Sequence, residues 1–203
     1  MTRASAADGG VRGGAVSKTR SGKMTALKKN IVDIYLSQVP EIGRWLWALQ
    51  DSRKRTMEEL ENVSPDIIDW QPPNGENSIG TILYHIADIE ADWLYAEVLE
   101  QTFPPEVAAL FPDKTRDDQG RLTQVKGFSL EQHLSRLDIV RGLLLDTYQQ
   151  MNLFEFRRVR SLPYYDVTPE WVLHHLMQHE AEHRSQIGAL RVRAERIMGG
   201  EEE

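Results

Sequence analysis

His179 and His183 stand four residues apart in WVLHHLMQHEAEHRSQIGAL, residues 171–190, a stretch that reads as helix. That spacing puts both imidazoles on one helix face with Cβ atoms about 5–6 Å apart, within reach of one shared metal ion. The apolar stripe of the same helix runs through Val172, Leu176, Ile187 and Leu190. At 3.6 residues per turn both histidines fall inside that stripe. His85 lies one position round from Ile82 and Ile89 on a separate predicted helix, and so also points inward. Three inward imidazoles are costly to satisfy with ordinary hydrogen bonds, and a metal satisfies them together. Three protein ligands with an open fourth position is the pattern of a catalytic site, and neutral imidazoles suit zinc, nickel, iron(II) or manganese.

The other histidines fit less well. His175 is four residues before His179, but ligands at i, i+4 and i+8 span about 12 Å of helix, too far for one ion. His174 and His175 are therefore read as rim residues, and His133 as surface. His179-Glu180-Ala181-Glu182-His183 also satisfies H-E-x-x-H, the metalloprotease pattern whose Glu activates water. Against that minor alternative, the G and H of its usual downstream extension are replaced by Gln186 and Ala189, and no sheet edge is predicted to hold extended substrate. Glu180-x-x-His183 has no second copy, so a two-metal carboxylate site is not expected. Asp88, Glu180 and Glu182 are the carboxylates placed to orient a ligand or move a proton, with solvated surface roles as the plainer alternative. Arg141, within an apolar stripe, and Arg184 are candidates to hold an anionic group of a substrate. Arg53, which interrupts another stripe, is read as an edge residue with a snorkelling stem.

Positioning these residues requires helices. Leu27–Val39 reads as a short leading helix cut off by Pro40. A longer helix is expected over 41–62, a second over 79–101 capped by Asn77 or Ser78, a third opened by the capping box Ser129/Gln132, and the His-bearing helix from Pro169 to about Met198. Residues 102–128 form a long polar connection of the kind that serves as a lid, a crossover or a mobile segment. Residues 154–166 are the only plausible extended piece. The expected fold is all-α, an antiparallel four-helix bundle with a short extra N-terminal helix.

The chain has 203 residues and a net charge of −7. Residues 1–23 carry five Lys/Arg and one Asp and are rich in Gly, Ala and Ser, so a disordered tail is expected before a single domain over 24–203. That tail's +4 leaves −11 on the body, a poor match for nucleic acid or an anionic membrane. No apolar run approaches the about 20 residues of a membrane span, and with no export signal a cytoplasmic location is expected. The chain contains no cysteine. Disulfides, thiolate metal sites and a cysteine nucleophile are thereby excluded, and any thiol must arrive on a small molecule.

The stretches DWQPPNGENSIGTILYHIADIEADW (69–93) and TPEWVLHHLMQHEAEHRSQIGAL (168–190) resemble the DinB/YfiT-like superfamily of metal-binding four-helix bundles, a likeness extending from about Glu41 to Ile197. The family's single His on the second helix and H-x-x-x-H on the last long helix fall on His85, His179 and His183. Its usual Arg-Gly-Gln appears as Arg184-Ser185-Gln186, and its frequent double His as Glu182-His183. The resemblance implies a divalent metal, a small-molecule substrate and a homodimer. Some relatives are transferases or isomerases that use a low-molecular-weight thiol such as bacillithiol or mycothiol. Two functions follow as expectations: a metal-dependent enzyme activating a small thiol or water, or a non-catalytic metal- or ligand-binding dimer in stress physiology.

Overall fold

The computed structural model describes residues 31–200 except Tyr35, Asn74 and Glu76. The expected tail over 1–23 and the start of the expected leading helix lie outside the described residues. Over the described part of 31–39 no helix forms, which corrects that expectation. Val39 is held extended (φ −98°, ψ 110°) before Pro40, as the proline ring demands. Leu36 and Val39 gain burial by folding back on the core. The return passes so close to Gly43 that a Cβ there would sit 2.6 Å from the Ile34 carbonyl oxygen.

Helix α1 (Pro40–Glu59) starts with proline in its first turn and buries Ile42, Leu46, Leu49 and Thr56. It ends three residues before Asn62, whose positive φ of 58° turns the chain away. Ile67 and Ile68 then fold back into the core. Helix α2 (Ile79–Asp92) is opened by Ser78, whose side chain accepts from the Thr81 amide. Its predicted extension to residue 101 is instead a π-helical turn over Trp93–Val98. The wider i→i+5 turn rotates the residues beyond Asp92, placing Leu94, Tyr95, Glu97 and Val98 in the interior and leaving Trp93 at the margin.

The long connection is laid along α2 rather than hanging free. It contains the short helix α3 (Pro105–Ala108) and buries Val107 and Val125. The Tyr84 hydroxyl donates to the Asp113 carbonyl and accepts from its amide, and the Thr115 hydroxyl donates to Asp88 Oδ2 at 2.6 Å. Helix α4 (Leu130–Gln149) opens with the expected Ser129/Gln132 capping box. The predicted extended piece is first a helical turn, α5 (Leu153–Arg157), capped by Asn152, and then a small antiparallel pair, β1 (Arg160–Ser161) with β2 (Asp166–Val167). Helix α6 (Pro169–Met198) follows the Thr168 cap.

The protein is mostly helical, and the four long helices surround a common core: α6 packs on α1 and α2, and α4 packs on α2 and α1. Their senses correct the all-antiparallel expectation. Trp45 near the start of α1 donates to Glu170 at the start of α6, while Arg191 late in α6 donates to the Glu59 carbonyl at the end of α1. Those two helices therefore run parallel. Gly80 and His133, both early in their helices, approach each other and mark α2 and α4 as parallel too. A parallel neighbour needs a long return, which is the role of residues 99–129.

Two apolar clusters fill the core. One gathers Ile42, Leu46, Leu49, Leu94, Leu144, Tyr148, Val172 and Leu176; the other Leu60, Ile79, Ile82, Leu83, Ile86, Leu137, Ile187 and Leu190. Each long helix also sends one charged residue into this interior to meet the others: Arg53, Glu90, Arg141 and Glu180. All four are buried, and together they form a closed ion network.

Candidate metal centre

His85 reaches the site from the middle of α2, and His179 and His183 from successive turns of α6. His179 Nε2 lies 3.1 Å from His85 Nε2 and 3.1 Å from His183 Nε2. One ligand atom from each of the three lies within 4.8 Å of the other two. Tetrahedral zinc with bonds of about 2.0–2.1 Å spaces its nitrogens roughly 3.3 Å apart, so the cluster has the dimensions of a metal cradle. His85 is buried, while His179 and His183 keep part of their surface toward solvent.

Protons alone do not satisfy this arrangement. Gln186 Oε1 lies 3.0 Å from His183 Nδ1; an amide oxygen only accepts, so Nδ1 carries the proton and Nε2 offers a lone pair. If His179 Nε2 carries a proton, it serves one neighbour and leaves the other contact unmade. If it does not, two lone pairs face each other. A cation satisfies all three nitrogens at once. Burial, then the proximity of His183 and Arg116, lowers the His85 pKa to about 4. Burial and the flanking His183 and His85 lower that of His179 to about 3, and burial lowers His183 as well. The trio is therefore neutral and able to coordinate at ordinary pH. These residues fit a divalent metal site.

Glu180, one residue from His179, turns into the core instead of toward the imidazoles. Its two oxygens accept from Arg53 Nε at 2.7 Å and Arg141 Nη2 at 2.8 Å. Burial alone would push its carboxyl up, but the two guanidiniums hold it below the usual range. It is thus an anchored anion, and the H-E-x-x-H reading loses its general base. Arg141 is committed in the same way. Its donors go to Glu90, Glu180, the Leu49 carbonyl and Gln50. With 4 % exposure it cannot hold a substrate anion, which corrects its predicted role. Arg53 pairs with Glu90 and Glu180 inside the core, so it is no snorkelling edge residue. Glu90 escaped sequence reasoning because it stands in an almost wholly buried helix, where periodicity has no polar face to reveal.

Asp88 is buried and bound to Thr115, not to His85, whose Nδ1 has no partner among the described residues. Burial raises the Asp88 pKa. Glu182 is exposed, and Arg184 turns to α1, where it donates to the Ser52 carbonyl at 3.5 Å. His133 is fully buried beside Arg136 and Phe128, correcting its surface assignment. His174 packs edge-on against Trp45. His175 stacks on Trp171 with rings 6° from parallel, and its centroid lies 5.9 Å from that of His179. It stays outside the cluster but connects it to an aromatic wall. Gln186 is a tether outside the predicted site residues, although its i+3 spacing from His183 carries the signal.

No helix among the described residues is long and apolar enough to cross a membrane. No curated protein matches the chain significantly. The model of the DinB superfamily matches residues 48–187, which hold all three histidines and all four residues of the buried ion network. The chain therefore belongs to the DinB superfamily.

Proposed function

We propose that this protein is a metal-dependent enzyme acting on a small molecule, with His85, His179 and His183 holding one divalent ion within a four-helix bundle of the DinB type. The observation that carries the reading is the convergence of three neutral Nε2 atoms from two helices. Only three such ligands gather there among the described residues, and a fourth position left to solvent is the mark of catalytic rather than structural sites. An ion so held supplies Lewis acidity that lowers the pKa of a small thiol or of water toward neutrality.

The protein's own residues have separable tasks. Gln186 fixes the His183 tautomer so that its lone pair faces the site. The buried ion network sets α2 and α6 in register. Asp88, buried one turn from His85 with its pKa raised, is the proposed proton acceptor. A thiol S-transferase-like reaction agrees with a cysteine-free chain, since the nucleophilic sulfur then arrives with a cosubstrate. The acidic body favours a small molecule over nucleic acid as the partner, and a homodimer is the proposed assembly.

The test is metal content by mass spectrometry on protein purified without a metal column, beside a His183→Ala variant. About one divalent ion per chain, lost in the variant, supports the site. No ion, and no uptake from added zinc, nickel or manganese, overturns it and leaves a non-catalytic bundle.

A further inference from the structure

One ring removed from the histidine trio, beyond His175, lies a cleft of about 480 Å³ walled by Trp93, Tyr165 and Trp171, with Asp166 among its lining residues and no Lys or Arg. Trp93, at the start of the π turn that ends α2, meets Trp171 of α6 at 5.4 Å and His175 at 4.4 Å between ring centroids. Tyr165 stacks on Trp93 at 6.1 Å and 29°. Its hydroxyl donates to Glu97 Oε1 at 2.7 Å. Glu97 is buried, and its other oxygen has no partner among the described residues. Trp171 and Tyr165 remain 47 % and 44 % exposed and join through Trp93 into one contiguous aromatic face, the kind of patch that marks a binding surface.

The geometry points to this cleft as the binding site for an organic cation, an ammonium-type group on an apolar body, seated on the faces of Trp171 and Tyr165 with Glu97 and Asp166 as its counter-charges. The inference deepens the proposed function by naming the substrate class, and it rests on the reading that the cleft serves the histidine trio. Aromatic faces attract cations through their negative quadrupole. An anionic group would find no basic partner among the lining residues and two carboxylates close by. A neutral apolar group would gain the rings but leave the buried Glu97 carboxyl, which burial pushes toward its neutral form, without a cation to favour its charge. Burial, with the Glu97 bond and charge, pushes the Tyr165 phenol up to about 12, so the hydroxyl stays a donor and keeps that carboxylate at the wall. His175, stacked between this wall and His179, spaces a bound cation from the trio.

The test is a calorimetric or tryptophan-fluorescence titration of the full chain with benzyltrimethylammonium, benzyl alcohol and benzenesulfonate, in chelator-treated and zinc-loaded protein. Saturable binding of the cation, with benzyl alcohol about tenfold weaker and benzenesulfonate silent, supports the proposal. Trp171→Ala, an exposed position that should not disturb folding, is expected to abolish cation binding. Glu97→Gln is expected to weaken the cation several-fold and leave benzyl alcohol unchanged. Equal affinity for benzyl alcohol overturns the proposal, as does binding that survives Trp171→Ala. So does absent binding in a dimer that Trp171→Ala makes monomeric, which would make this face a contact between copies. Cation binding retained by His183→Ala and by chelated protein separates the cleft from the metal reading, so either can fail alone.

Discussion

Glu180 Oε2 accepts a hydrogen bond from Arg141 Nη2 at 2.8 Å in the middle of the core, although Glu180 directly follows His179 in α6. The same carboxylate binds Arg53, and both arginines bind Glu90, so one residue from each long helix closes the network. Since it joins α2 and α6 near their histidines, it acts as a register lock for the site.

Removing one member leaves buried charge without its partner. Glu180→Gln is expected to lower unfolding stability by about 3–5 kcal/mol, read as a fall in the urea midpoint with little change in slope. A general base for water would behave differently. Its removal would abolish turnover while leaving the midpoint where it was, and that outcome would restore the H-E-x-x-H reading.

Gln186 is exposed, so its substitution should spare the fold and report on the site. Without the tether at His183 Nδ1, the ring loses its fixed tautomer and orientation. Gln186→Leu is expected to weaken zinc binding by about 10–100-fold in a chelator competition, with an unchanged thermal midpoint for metal-free protein. An affinity equal to wild type would show that the contact orients nothing.

His133 makes a separate prediction about pH. It is fully buried; burial, then Arg136, lowers its pKa to about 4 from the ordinary 6.5. In the folded state it stays neutral over that window, while in the unfolded chain it takes a proton as pH drops below 6.5. Its contribution is therefore present above 6.5 and is lost as pH falls from 6.5 toward 4. The slope approaches about 1.4 kcal/mol per pH unit. His133→Gln, measured against wild type in chelator-treated protein, is expected to flatten the curve by about that amount, because the imidazoles of the trio contribute equally to both proteins. Parallel curves would show that His133 is charged in the fold.

The histidine trio was legible because an i, i+4 pair inside an apolar stripe is a local signal, and His85 sat on an equally clear stripe. The Ser129 cap was legible for the same reason, and Ser78 was one of two neighbouring candidates. What stayed hidden depended on partners distant in sequence. Arg53 and Arg141 stood out as charges on apolar faces, but their answer, Glu90, lies 37 and 51 residues away. The relative senses of the helices were equally illegible, since periodicity is blind to direction. The π turn was missed because one extra residue per turn leaves no compositional trace, yet it turns Leu94, Tyr95, Glu97 and Val98 into the interior.

The trio itself makes the last prediction. With His85 at about 4 and His179 at about 3, and His183 also lowered by burial, the metal-free site carries no imidazolium at pH 7. Binding a divalent ion there displaces few protons, so the calorimetric heat of zinc uptake should be nearly the same in two buffers of different ionisation enthalpy. An exposed histidine cluster near its ordinary pKa would release a measurable fraction of a proton per ring and separate the two buffers. The ion also bridges α2 and α6, so binding should raise stability by about 2.7 kcal/mol at a free zinc concentration 100 times the Kd. His183→Ala should lose that gain, leaving two imidazoles that hold zinc weakly. Buffer-dependent heats would mean that the rings are protonated before the metal arrives, and an equal zinc stabilisation of the variant would place the ion elsewhere.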